Sequence, residues 1–197
     1  NIYGTSQMAP LMIIGTVPLY NVMAVVILSF TGPGEHKLSK ESFKKSLLGI
    51  AKNPIIIGIV LGMIASIVRL KLPFILDKTL HNFSIMATPL ALVGLGAGFE
   101  GKKAVKKIRP TVICTFVKLM VWPMLFLPVA LHMGFSGEKI IAILVMLGSA
   151  TTPSSYIMTK NMGHEGVLTS STIVCTTLFS AFSLTLWLFI LKSVGAL

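Results

Sequence analysis

Charge is what this chain has least of. Only 12% of its 197 residues are charged, against 54% hydrophobic, whereas a soluble domain averages about 25% charged residues. Acidic groups are scarcest, with six Asp and Glu in all. Asp77 and Glu138 stand at the edges of apolar runs, and Glu35, Glu41, Glu100 and Glu165 fall in loops. No carboxylate therefore lies deep in an apolar run, which leaves this stretch without an acidic proton relay or an acidic sodium site. The two cysteines, Cys114 and Cys175, fall inside apolar runs, where small buried hydrophobes are expected rather than a disulfide or a metal pair. The four histidines, His36, His81, His132 and His164, are scattered at run ends and in loops. No metal-ligand spacing, nucleophile–base pair, P-loop or redox motif is present, so neither a metal, a cofactor nor an enzyme is expected.

What the chain does have is length in its apolar runs. Six approach the ~20 residues that a helix needs to cross a bilayer: residues 8–30, 54–70 (short), 73–99, 111–132, 140–158 and 167–191. The expected class is an all-α polytopic membrane protein with about six transmembrane helices. A net charge of +11 does not point to nucleic acid, because the basic residues gather in loops between spans. Lys37, Lys40, Lys44, Lys45 and Lys52 occupy 31–53; Lys102, Lys103, Lys106, Lys107 and Arg109 occupy 100–110; Lys160 follows the fifth run. The opposite side has Arg69, Lys71, Lys78, Lys139 and Lys192. Positive loops face the cytoplasm, so the expectation is a multi-pass plasma-membrane protein (cell inner membrane if bacterial) with its basic loops inside and both chain ends outside. Within 31–53, Phe43, Leu47, Leu48 and Ile50 alternate with Lys40, Lys44, Lys45 and Lys52. That pattern describes a basic amphipathic helix on the membrane surface, or a plain solvated linker.

Polar groups inside lipid must be buried in protein or line a wet cavity, and three places stand out. The first is MLGSATTPSSYIMTK, residues 146–160, where Ser149, Thr151, Thr152, Pro153, Ser154 and Ser155 interrupt the fifth run near mid-span. Pro153 lacks an N–H and blocks the carbonyl one turn back. The freed backbone groups and hydroxyls form either an uncharged binding surface favouring anions, as in the broken helices of secondary transporters, or a proline kink that satisfies itself. The second is Lys118 in CTFVKLMVWP, the only charge well inside a span. An ionisable group there is a site candidate by default, unless a shifted helix boundary lifts it to the interface. The third is Asn53 before Pro54, an N-cap and first-turn pair or a ligand-facing amide.

Five segments, in order, resemble the auxin efflux carrier family of transporters. They are PLYNVMAVVILSF (18–30), AKNPIIIGIVLG (51–62), ATPLALVGLGAGFEGKK (87–103), GSATTPSSYIMTKNMG (148–163) and the final apolar run (167–191). The resemblance implies ten helices as two inverted repeats of five. This chain would supply the fifth helix (1–30), a cytoplasmic linker (31–53) and the whole second repeat (54–197), the first repeat lying outside it. It implies a substrate site between two broken crossover helices, with Asn53 and the break at 150–155 lining it, and its central loop is cytoplasmic like the basic loop here. The chain departs from the family in placing the proline at Pro153, where many members have it nearer 150 or 151. The expected function is a secondary transporter of a small organic anion, a malate-like or auxin-like carboxylate, working by alternating access. Substrate contacts fall on Asn53, Thr151, Thr152, Pro153, Ser154, Ser155 and Lys118, and the expected partners are the bilayer and a second copy of the chain. The alternative is a sodium- or proton-coupled carrier of the bile-acid symporter or antiporter type; a channel or a membrane-embedded enzyme fits less well.

Overall fold

The computed structural model describes residues 8–30 and 54–196. The basic stretch 39–51 and Asn53 lie outside the described residues. All regular elements among those described are helical: α1 (Met8–Phe30), α2 (Pro54–Ile67), α3 (Phe74–Ala97), α4 (Gly101–Lys106), α5 (Ile108–Phe116), a π-helical turn (Val117–Val121), α6 (Trp122–His132), α7 (Glu138–Gly148), α8 (Pro153–Asn161) and α9 (Val167–Ser193). Among the described residues, three continuous helical stretches are long and apolar enough to cross a bilayer: Phe74–Ala97, Ile108–His132 and Val167–Ser193. α7 and α8, parted by a short break, are long and apolar enough only when taken together. The Gly15–Leu28 part of α1 and the whole of α2 are apolar as well. At about 1.5 Å per residue, the 14 residues of α2 extend about 21 Å, short of the ~30 Å hydrocarbon layer. The protein is thus an all-helical polytopic membrane protein, with the apolar segments where the hydropathy put them and some ends displaced. α5 starts at Ile108 rather than 111, because Pro110 falls within its first turn, where a missing N–H leaves no bond unmade.

The chain forms two compact units, Phe99–Thr152 with Gly166–Leu197 and the first turns of α1 in one, Gly15–Gly98 with Pro153–Glu165 in the other. In the first unit, α6, α7 and α9 meet around Leu127, Ala130, Ile140, Leu144 and Leu191, each under 8% exposed. Gly137 opens α7 at φ 58°, ψ −128°, a conformation that only glycine adopts without strain. Its N–H donates to the Ala196 carbonyl at 3.0 Å, tying the α6–α7 turn to the end of the chain.

In the second unit α3 packs against α8. A Cβ at Gly98 would overlap the Tyr156 hydroxyl, so the chain's exit from α3 passes close to α8 only because residue 98 has no side chain. His164 Nε2 lies 3.1 Å from the Leu28 carbonyl; a carbonyl only accepts, so that nitrogen carries the proton. α2 buries none of its side chains and α3 only Leu95. An apolar surface of that extent would be an aggregation liability in water. Lipid tails are as apolar as leucine, so in a membrane there is no hydrophobic force to cover it.

Candidate functional site

The fifth apolar run is interrupted where its hydroxyls and proline foretold. α7 ends at Gly148, residues 149–152 are non-helical, and α8 begins at Pro153. Ser149 is extended at φ −73°, ψ 163°. The break is therefore four residues long and ends earlier than the resemblance suggested. Pro153 is the first residue of α8, and Ser154 and Ser155 belong to that helix's first turn. Pro153 so placed starts a helix rather than kinking one, since an N1 amide has no intrahelical acceptor in any case. The 11 residues of α7 and the 9 of α8 are about 16 and 14 Å long at ~1.5 Å per residue. Each is about half a membrane thickness, so the break falls near the middle of the span.

A break inside lipid leaves orphan carbonyls behind it and orphan amides ahead of it, and two side chains from neighbouring helices take some of these up. Ahead of the break, the Thr151 N–H donates to Thr176 Oγ1 at 3.1 Å. Thr176 is fully buried on α9, and its own hydroxyl proton goes to the Thr172 carbonyl at 2.7 Å. Behind the break, the Met146 carbonyl has lost the donor that a continuing helix would supply four residues on, and Lys118 Nζ donates to it at 3.4 Å. Lys118 is half-buried and turns toward α7. A cation at a helix C-terminus also meets the negative end of the helix dipole. The Ser149 N–H closes the last turn of α7 on the Val145 carbonyl at 3.0 Å. Thr152, Ser154 and Ser155 each make interactions of their own. Gly148 ends α7 in contact range of Leu184 and Pro123, where an added Cβ would lie 3.3 Å from the Leu184 methyl and 3.6 Å from the Pro123 ring.

Lys118 owes its direction to a second irregularity. It sits on the π-helical turn, whose closing bond runs from the Trp122 N–H to the Val117 carbonyl, five residues back. Pro123 explains it. Proline has no N–H, so the Leu119 carbonyl four residues earlier has no helical donor. α9 supplies two instead: Ser183 Oγ at 2.8 Å and Trp187 Nε1 at 3.1 Å. The turn widens to five residues per bond, as π-bulges do at functional sites. Thr176, Ser183 and Trp187 were not singled out from the sequence. Their signal is a spacing of seven and four residues, which puts all three on one face of α9. Of the residues expected to line the site, Thr151 and Thr152 are found within the break, Lys118 beside it with the partner just given, and Pro153, Ser154 and Ser155 directly after it.

Membrane spans, one of them interrupted at mid-depth and held open by polar side chains from its neighbours, define a membrane transport protein. A family model described as "Membrane transport protein" matches residues 4–188. The chain belongs to that family, the auxin efflux carrier family. No curated protein and no solved structure gives a significant match.

Proposed function

We propose that this chain is the part of a secondary transporter that binds the carboxylate of a small organic anion at the α7–α8 break and moves it by alternating access. The observation that carries the reading is the interruption itself: helix stops at Gly148 and restarts at Pro153 in mid-span. Hydroxyls stand on both sides of the restart, at Thr151, Thr152, Ser154 and Ser155. The start of a helix carries the positive end of its dipole, which suits an anion without requiring a fixed charge. Lys118 supplies a positive charge on the other side of the break. In this reading Asn53 reaches the same substrate, the loops 31–53 and 100–110 face the cytoplasm of a plasma membrane, and two copies of the protein pair. The first repeat, with its own broken helix, supplies the opposing half of the site.

Uptake of a radiolabelled carboxylate by vesicles containing the full-length protein tests the reading. Removing a hydroxyl that donates to a charged ligand costs about 1.5–3 kcal/mol, which is about ten- to a hundredfold in affinity. Thr152→Val and Ser155→Ala therefore raise the KM for the carboxylate by about that factor while the protein is made and inserted normally. Wild-type uptake by both variants would reduce the hydroxyls to structural groups and remove the break from the substrate path.

A further inference from the structure

We propose that the chain holds an anionic glycerophospholipid, with one acyl chain in a cleft between α5 and α9 and its phosphate on the basic segment around α4. The cleft has a volume of about 320 Å³, within the range of small-ligand sites. Its floor is Leu119, 3% exposed, and its walls are the rings of Phe116, Phe179 and Phe182, which are 60, 55 and 76% exposed. Val112, Thr115, Met120, Cys175 and Ser183 complete it. The exposed lining surface is apolar: the Ser183 hydroxyl on α9 is turned away to the Leu119 carbonyl, and the Thr115 hydroxyl on α5 is buried beneath the wall. All this lies along two helices long and apolar enough to cross a bilayer, so the occupant that fits the cleft is apolar along the buried length.

The charge identifies the head group. Val112, Phe116 and Leu119 recur at helical spacing along one face, and one turn earlier on that face stands Arg109. Immediately before it come Lys102, Lys103, Lys106 and Lys107, all exposed. The single carboxylate nearby, Glu100, is 2.8 Å from Lys103. α4 packs against α9, as α5 does, so the basic segment adjoins the same helix pair that forms the cleft. Basic clusters at the end of membrane helices recognise anionic lipids. Here such a cluster continues directly into a chain-sized apolar cleft, which a free phosphate would leave unfilled and a neutral lipid would fill without using the charge.

The test uses the full-length protein in detergent micelles, titrated with dioleoyl phosphatidylglycerol or dioleoyl phosphatidylcholine and weighed intact by native mass spectrometry. The wild type retains phosphatidylglycerol at least about tenfold better, each nearby cation contributing roughly fivefold. Lys102→Gln/Lys106→Gln/Arg109→Gln removes most of that preference and leaves only what Lys107 and the Glu100-paired Lys103 supply; all three residues are exposed, so the fold survives and melting temperature checks it. Cys175→Trp, which fills the cleft, lowers retention of both lipids, and so does Phe182→Ala, which removes an exposed wall. Equal retention by the wild type, or a preference undiminished in the triple variant, overturns the proposal. Retention insensitive to both cleft variants overturns it too, and means that the head group binds alone or that another helix of the full-length protein fills the cleft.

Discussion

The hydrogen bond from the Thr151 N–H to Thr176 Oγ1 gives the sharpest handle on the break, because a single oxygen can be removed at nearly constant shape. Thr176→Val takes away the acceptor and leaves a methyl in its place. The Thr172 carbonyl, which loses the Thr176 hydroxyl, keeps its ordinary helical donor four residues on, so that side of the change is mild. The Thr151 amide has no such reserve: it precedes α8 and lies in a non-helical stretch at membrane depth. Thr176 is fully buried, so water does not replace it. Stranding a buried donor costs about 1–3 kcal/mol. If the break must hold its shape to bind substrate, that energy opposes the binding-competent form, and the apparent affinity for the carboxylate falls by about five- to 150-fold. The assay is concentration-dependent uptake into vesicles by the full-length protein, with thermal unfolding of the same preparation alongside. Thr176→Ser keeps the oxygen and drops only a methyl, so it recovers most of the affinity. Two results refute the reasoning. Unchanged KM and melting temperature in Thr176→Val would mean that the Thr151 amide finds another acceptor. A Thr176→Ser variant as impaired as Thr176→Val would mean that packing, and not the hydroxyl, is what α9 contributes.

Three other outcomes follow from the same geometry. Lys118→Gln keeps a donor for the Met146 carbonyl but no charge, so it preserves stability and raises KM for the anion, whereas Lys118→Met loses both; a wild-type KM in Lys118→Gln takes Lys118 off the substrate. The bond is long at 3.4 Å, so the stability loss in Lys118→Met, read from thermal unfolding, is about 1 kcal/mol, at the lower end for a charged donor. Ser183→Ala and Trp187→Phe each leave the Leu119 carbonyl one donor and cost about 1 kcal/mol, while the double variant orphans it and costs more than the sum, which a double-mutant cycle of melting curves measures. Gly98→Ala overlaps the Tyr156 hydroxyl and destabilises by about 1–3 kcal/mol, and Tyr156→Phe in the same chain restores most of the loss; no rescue would mean that the backbone at residue 98, and not the hydroxyl, resists the change.

How far the sequence carried this description depends on how local the physics is. Apolar runs report the membrane directly, so the helical segments and the interruption at the hydroxyl-flanked proline were legible. The extent of the interruption was not. A proline marks a missing N–H, but whether the helix recovers before or after it depends on what caps the two ends. Here recovery begins at Pro153 itself, which moves Ser154 and Ser155 out of the unwound stretch. The caps are long-range: Lys118 to Met146 spans 28 residues, Thr151 to Thr176 spans 25, and Ser183 to Leu119 spans 64.

The hydroxyls of α9 show what kind of signal would have reached further. Thr177, Ser180, Thr185 and Ser193 all donate to carbonyls three or four residues back in their own helix, the usual resting place of such groups in a helix. Ser183 instead donates to another helix, and Thr176, while donating back to the Thr172 carbonyl like the rest, also accepts from the Thr151 amide in the break; the two stand seven residues apart with Trp187 four further on, a single stripe. That stripe meets the Leu119 carbonyl, which Pro123 leaves without a helical donor, and the Thr151 amide, which the break leaves without a helical acceptor. In lipid such groups cannot turn to water, so every proline interruption in one span demands donors or acceptors from another. A polar stripe on an otherwise apolar helix is then the complement of its neighbours' prolines. The stripe on α9 is where this chain supplies both the donors at Leu119 and the acceptor at Thr151, which makes α9 the helix that holds the two irregular segments in place at once.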